Sequence, residues 1–196
     1  MVQYNNETLG GLCSRGGRIC ANKDIFRSVS MEKLRTQRMS SKFSDPLKFL
    51  LLRHYFISKK YHRILDYQCG RGDDVKLLVE DGYKVIGCDD SFKHGEIGED
   101  DAFETVLCTY VLDHTQSDST ALDIIKQAWQ HVAFGGILFV STRTPEQAKC
   151  EDVVRGYTGQ ELIGFISDIE GQGYVEVCAR TERFSYIIIT KLAPAC

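Results

Sequence analysis

The 196-residue sequence lacks a long apolar run. No segment approaches the ~20 consecutive apolar residues that a membrane span requires, and the run Phe49–Leu52 is ended by Arg53 and His54. The first forty residues also lack the apolar stretch, roughly 7–15 residues long, that a secretory signal carries. We therefore expect a cytoplasmic protein with no membrane partner.

The eight cysteines lack the spacings of metal sites and disulfide frameworks. No Cys-x-x-Cys pair occurs, and no two histidines have zinc-finger spacing. Cys69, Cys88, Cys108 and Cys178 fall within or at the ends of apolar strand-like runs, where free cysteine behaves as a small hydrophobe. Because disulfides are rare in the cytosol, we expect reduced thiols, and we expect no bound metal.

Acidic residues are scarce in the first third of the chain. Between Arg15 and Arg63, thirteen Lys and Arg face three acids, a net charge of +10, and the part from Ile64 onward carries −12. Such asymmetry indicates either a nucleic-acid or membrane-surface contact or a solvated basic arm. We expect residues 1–43 to form a flexible basic arm ahead of a domain at 44–196. The Arg and Ser content of the arm also leaves a mitochondrial targeting segment open.

Alternating strands and helices are expected from Ser44 onward. Strands are predicted at His62–Tyr67, Tyr83–Cys88, Glu104–Tyr110, Ile137–Ser141, Tyr174–Ala179 and Phe184–Lys191. Helices are predicted after an Asp45 cap, at 73–81 with Val75, Leu78 and Val79 facing inward, at 119–132, and after a Thr158–Glu161 capping box. The last two strands are joined by a short link and must be antiparallel. The sequence therefore predicts an α/β fold, with a doubly wound, mostly parallel sheet that ends in an antiparallel hairpin.

A glycine-rich loop follows the first predicted strand. Cys69-Gly70-Arg71-Gly72 comes directly after Tyr67 and Gln68, and Asp89 closes the second strand, 23 residues after Asp66. In such sheets, ligands bind beyond the carboxyl ends of the strands, and glycine lets a ligand approach the backbone closely. An acid about 20 residues beyond a glycine loop chelates the ribose hydroxyls of an adenosine cofactor. The order of these features predicts an adenosine-cofactor site.

The identity of the cofactor follows from two positions. Val75 stands where the third glycine of a dinucleotide fingerprint would be. Asp66, in the strand just before the loop, suits a cationic ligand better than a pyrophosphate. Both observations favour S-adenosylmethionine over NAD.

The same segments resemble the motifs of class I (Rossmann-like) S-adenosylmethionine-dependent methyltransferases. Ile64–Gly72 resembles their first motif, usually Leu-Asp-x-Gly-Cys-Gly-x-Gly, and Val85–Asp89 resembles the second. Phe103–Leu112 resembles the fourth-strand motif and Gly135–Val140 the fifth. The resemblance implies a seven-stranded-type sheet, S-adenosylmethionine as cofactor, and methyl transfer to an unidentified acceptor by in-line displacement. One strand–helix unit is expected to be shortened, since few residues separate Asp89 from Phe103.

A narrower resemblance points toward nucleic acid. Leu65–Val75 and Leu107–Asp113 are similar to small bacterial and phage-type methyltransferases, some of them linked to DNA modification. No Asn-Pro-Pro-Tyr, Asp-Pro-Pro-Tyr or Pro-Cys sequence occurs, which disfavours the usual amino-base and C5-cytosine DNA methylation. Nucleic acid is therefore expected as a partner only through contact with the basic arm.

The resemblance also implies site residues. The predicted cofactor-binding residues are Asp66, Gln68, Cys69, Gly70, Gly72, Asp89, Asp90 and Thr109. The predicted catalytic residues, just past the fourth-strand motif, are Tyr110, Asp113 and His114. An adenine-pocket acid is suggested at Asp100 or Asp101.

Purely structural roles are an alternative for several of these residues. Asp89 could be a helix cap, Asp66 could hold the loop through backbone hydrogen bonds, and His114 could be a cap or a surface residue. Gln68 replaces the usual glycine of the loop and motivates a second hypothesis, a non-catalytic partner or regulatory protein. A nucleotide-dependent Rossmann oxidoreductase is the third.

Overall fold

A computed structural model describes residues 43–53, 55, 62–92, 94–151, 153–167, 169 and 173–193. Nearly all of the predicted basic arm, residues 1–43, lies outside the described residues. The helices are α1 (Asp45–Leu52), α2 (Asp73–Glu80), α3 (Asp118–Gln130), α4 (Pro145–Glu151) and α5 (Gly159–Ser167). The strands are β1 (Arg63–Tyr67), β2 (Lys84–Cys88), β3 (Phe103–Thr109), β4 (Val132–Arg143), β5 (Gly173–Arg180) and β6 (Phe184–Lys191). A helix long and apolar enough to cross a membrane does not occur among these elements.

The strands form one six-stranded sheet in the order β2-β1-β3-β4-β6-β5. The first four are parallel to one another, and β6 runs antiparallel to both β4 and β5. This confirms the predicted mostly parallel sheet with a C-terminal hairpin. Between β2 and β3, the described residues 89–92 and 94–102 form neither strand nor helix. The expected shortened unit has therefore lost both its strand and its helix.

Apolar side chains cover both faces of the sheet. On one face, α1 and α2 pack against the strands through a core that includes Leu47, Leu50, Ile64, Leu78, Leu107, Phe139 and Ile188. On the other face, α3 and α5 pack through a core that includes Leu65, Val106, Ile125, Trp129, Val140, Leu162 and Ile187. None of residues 69–72, which follow β1, belongs to either core.

Local signals at the helix ends were mostly informative. The Thr158–Glu161 capping box is confirmed, since Thr158 N donates to Glu161 Oε2 at 2.8 Å and Glu161 N donates to Thr158 Oγ1 at 3.3 Å. At α1 the cap is Ser44 rather than the predicted Asp45, which lies in the first turn of the helix. Val79 was wrongly predicted to face inward. Its side chain is 53% exposed, because this two-turn helix buries Leu78 instead.

Candidate functional site

The glycine loop lies at the carboxyl end of β1 and leads into α2. Gly70 and Gly72 both have left-handed backbones, with φ of +57° and +69°. A Cβ on Gly70 would meet no atom within 4 Å, whereas one on Gly72 would lie 3.2 Å from the His94 ring. The loop is therefore packed on the Gly72 side and open above Gly70, where a ligand can approach the backbone.

Gln68 adopts the backbone conformation that a glycine would favour. Its φ is +57°, and only one other non-glycine residue of the described part, Tyr110, has a positive φ. Its side-chain amide donates to Asp90 Oδ2 at 3.4 Å, across the ends of β1 and β2. The side chain therefore reaches toward Asp90, and the space above Gly70 stays open.

Asp89 holds the loop from the end of β2. Its Oδ2 accepts from Gly70 N at 3.0 Å, and its Oδ1 accepts from Ser91 N at 2.9 Å and Phe92 N at 3.1 Å. Asp89 therefore holds the glycine loop and a turn; it is not the helix cap left open as an alternative, since the described residues 89–92 and 94–102 contain no helix. A carboxylate has about four acceptor positions, so three donors leave room for about one more.

His94 was not among the sequence-predicted residues. Its Nε2 lies 2.7 Å from the Gly70 carbonyl oxygen, so Gly70 is held through its N–H by Asp89 and through its C=O by His94. A single histidine in an irregular segment belongs to no recognisable sequence motif. Its role depends on the path of the segment after β2, which brings His94 back to the glycine loop.

Asp66 is a buried carboxyl directly before the loop. It is 6% exposed and has no hydrogen-bond partner among the described residues. Burial, followed by the nearby Asp74 carboxylate, raises the pKa of Asp66 to about 8. Asp74 in turn accepts from Ser44 N at 3.0 Å, which joins the start of α1 to the first turn of α2.

The thiols near the loop are not activated. Burial, followed by the Asp66 carboxylate, raises the pKa of Cys69 to about 12, and burial also raises the pKa of Cys88. A nucleophilic cysteine needs a lowered pKa, so neither residue is suited to that role. Among the described residues, no group of three or more His, Cys, Asp or Glu side chains could hold a metal ion.

An ion pair between a buried carboxylate and a partly exposed arginine lies at the carboxyl ends of β3 and β4. Asp113, in the 3₁₀ helix Val111–His114, has no exposed surface. It accepts from Thr142 Oγ1, from Arg143 N at 3.1 Å and from Arg143 Nη1 at 2.6 Å. Burial raises the pKa of Asp113, although the hydrogen bonds from Thr142 and Arg143 act in the opposite direction. Asp113 thus fixes the position of the Arg143 guanidinium.

A polar cleft of about 250 Å³ opens above this pair. It is lined by Phe43, Ser44, Asp45, Tyr110, Arg143, Gln147, Glu151 and Arg183. The Arg143 guanidinium stacks 4.4 Å from the centre of the Tyr110 ring, and its Nε donates to Glu151. Arg183, another lining residue, pairs with Asp45 at 2.6 Å. Neither arginine was predicted from the sequence, because each depends on partners far away along the chain.

The other predicted residues are spread over the same edge, with one exception. Asp90 and His114 are exposed, and Thr109 is half-buried opposite Ser141. Asp101 pairs with Arg63, the first residue of β1, at 3.4 Å. The suggestion of Asp101 for an adenine pocket is therefore wrong, since it lies at the sheet edge opposite the glycine loop.

Comparisons with known proteins agree with this architecture. Residues 34–169 match the family model described as "Methyltransferase domain"; the match begins inside the predicted basic arm. No curated protein sequence matches.

Solved structures show the same fold at low sequence identity. Magnesium protoporphyrin IX methyltransferase from Synechocystis PCC 6803 with bound SAH is 13% identical, with a TM-score of 0.54 over 74% of this chain and 80% of that one. A SAM-dependent methyltransferase from Archaeoglobus fulgidus is 15% identical, with a TM-score of 0.53 over 76% and 95%. The glycopeptide N-methyltransferase MtfA complexed with SAM is 12% identical, with a TM-score of 0.56 over 76% and 93%. With the family model matching more than half of its length, this chain belongs to the methyltransferase-domain family.

Proposed function

We propose that this protein is an S-adenosylmethionine-dependent methyltransferase whose cofactor binds over the glycine loop at the carboxyl end of β1. The observation that carries the proposal is the open face of Gly70, set between Asp66 and Asp89 in a methyltransferase-domain chain. Two of the similar structures contain SAH or SAM, which supports the choice of ligand.

The residues present fit such a cofactor. The open face of Gly70 admits a ligand against the backbone. Asp66 is a buried carboxyl with no partner of its own among the described residues, so a cationic group nearby would favour its ionised form. Asp89 retains about one free acceptor position, and the exposed Asp90 carboxylate lies beside it. These residues would hold the ammonium and ribose groups.

The part played by the protein in this chemistry is mainly positioning. When bound, S-adenosylmethionine supplies a methyl group on a positively charged sulfonium, which is already a good leaving group. Holding the nucleophile and the methyl group in line can lower a barrier by roughly 7–11 kcal/mol. The loop is suited to this, because Asp89 and His94 fix Gly70 on both sides before any ligand arrives.

The three predicted catalytic residues take different places in this proposal. Tyr110 lines the cleft and is available to touch an acceptor. Asp113 is fully buried and therefore acts as a positioning residue, through Arg143. His114 is exposed on the 3₁₀ helix, and its catalytic role stays a prediction.

Gln68 does not argue for a non-catalytic protein. Its backbone takes the left-handed conformation, and its amide is turned to Asp90, so it does not fill the space above Gly70. These observations support an active site over the regulatory alternative.

A matched pair of glycine substitutions tests the cofactor site. Gly70→Ala places a methyl group in the open space above the loop, while Gly135→Ala does so at the opposite edge of the sheet. Both glycines have positive φ, +57° and +78°, and neither Cβ would meet an atom within 4 Å. Backbone strain should therefore be similar in the two variants, on the order of 1 kcal/mol.

Isothermal titration calorimetry with S-adenosylhomocysteine separates the outcomes. We expect the wild type and Gly135→Ala to bind and Gly70→Ala to bind at least about tenfold more weakly, because the added methyl group occupies ligand space. NAD should give no heat. Binding of NAD instead, or equal S-adenosylhomocysteine affinity in both variants, would contradict the proposal.

A further inference from the structure

Arg143 is held in one orientation at the floor of the cleft. Asp113 accepts from its Nη1, Glu151 accepts from its Nε, and the Tyr110 ring lies against the guanidinium plane. Its side chain is 21% exposed. A cation fixed on three sides loses little further conformational freedom when it binds a ligand.

One edge of this guanidinium has no internal partner. Arginine carries five N–H donors, and the described acceptors use Nε and one N–H of Nη1. Nη2 has no acceptor among the described residues. The edge formed by Nη1 and Nη2 is a fork that matches the two oxygens of a carboxylate or a phosphate.

A second cation, Arg183, also lines the cleft. Among the described carboxylates Arg183 pairs only with Asp45; the Arg183 side chain is 62% exposed and that of Asp45 is 31% exposed. Exposed ion pairs of this kind contribute little stability and exchange partners readily. Arg183 can therefore turn toward an anion in the cleft, while Arg143 can bind one without releasing Asp113.

We propose that this cleft binds the methyl acceptor and that the acceptor carries an oxyanion, either a carboxylate or a phosphate, held by Arg143 with help from Arg183. The proposal rests on the proposed function: the cleft opens at the carboxyl ends of β3 and β4, in the same parallel sheet whose strand β1 leads into the glycine loop. The lining supports a small, hydrophilic acceptor group, because seven of its eight residues are polar or carry a hydroxyl.

Substitutions of Glu151 and Arg143 test oxyanion binding in opposite directions. Glu151 lies against Arg143 and repels an incoming anion, so Glu151→Gln should strengthen oxyanion binding. Arg143→Lys keeps a positive charge beside Asp113 but removes the fork, and we expect at least about tenfold weaker binding. Should Arg143→Lys fold poorly, the double variant Arg143→Gln/Asp113→Asn removes both charges of the pair together, so that the buried carboxylate is not left unpaired.

Arg155 provides a matched control. It also pairs with two carboxylates, Asp118 and Glu161, and stacks on a tyrosine, Tyr157, at 4.5 Å, but it lies outside the cleft lining. Arg155→Gln should leave oxyanion binding unchanged.

The experiment is a nuclear magnetic resonance titration of the full chain. Sodium phosphate, sodium acetate and sodium chloride are added at equal ionic strength, and the backbone amide signals of Tyr110 and Gln147 are followed. We expect saturable shifts with phosphate or acetate beyond those with chloride. Saturation with phosphate alone supports a phosphorylated acceptor, and saturation with acetate alone supports a carboxylate acceptor.

Two results would overturn the inference. One is that neither oxyanion shifts the signals more than chloride does, and the other is that Arg143→Lys binds as tightly as the wild type. S-adenosylhomocysteine is titrated into the same samples, because Gly70 does not depend on Arg143. If S-adenosylhomocysteine does not bind while the oxyanions still do, the result counts against the proposed function alone.

Discussion

The buried Asp66 carboxyl should make the free protein less stable as the pH rises. Its pKa is raised from the ordinary 3.8 to about 8. Between these two values, the unfolded chain has released the proton and the folded protein still holds it. The contribution of Asp66 to the free energy of unfolding is therefore fully present below about pH 4. It falls by about 1.4 kcal/mol per pH unit as the pH rises to about 8.

Replacing Asp66 with Asn removes this dependence and keeps a neutral side chain of nearly the same shape. Between about pH 5 and pH 7, the wild type should lose about 3 kcal/mol of unfolding free energy that Asp66→Asn does not lose. Other titrating groups are common to both proteins and cancel in the difference. Asp123→Asn, at an exposed position of α3, serves as the control and should keep the wild-type dependence.

Urea unfolding followed by circular dichroism at the two pH values measures the effect. The decisive quantity is the difference between wild type and variant in the change of unfolding free energy with pH. Parallel pH dependence in the wild type and Asp66→Asn would show that the carboxyl is ionised in the folded protein and refute the reasoning.

Two further predictions concern the loop and the arm. Gln68→Gly should stabilise the protein by up to about 1 kcal/mol, because glycine adopts the positive φ of this position without steric cost. Its affinity for S-adenosylhomocysteine by calorimetry should change little, and a large gain would revive the non-catalytic hypothesis. If the basic segment binds nucleic acid, affinity in an anisotropy assay should fall log-linearly with salt. Deletion of residues 1–33 removes five Lys and Arg residues and stops before the region that matches the family model. This deletion should then weaken nucleic-acid binding. Binding that does not depend on salt, or that the deletion leaves unchanged, would show that the arm is merely solvated.

The sequence was most informative where structure depends on neighbours along the chain. The strand before Gly70, the capping box at Thr158 and the closing hairpin are local patterns, and the structure confirms them. Arg143 and Asp113 are thirty positions apart, and no spacing rule joins them. His94 was missed for a related reason, because its contact with Gly70 exists only once the segment after β2 has lost its strand and helix. At Val79, the apolar pattern was wrong because α2 packs Leu78 and Leu77 against the core, which leaves Val79 on the exposed side of the helix.

The bond from Ser44 N to Asp74 has a mechanical consequence. Asp74 belongs to the first turn of the helix that the glycine loop opens, and Ser44 belongs to the wall of the cleft. One wall of the cleft is therefore fastened directly to the helix that begins at the glycine loop, so α1 and α2 present the two sites as parts of one supported edge.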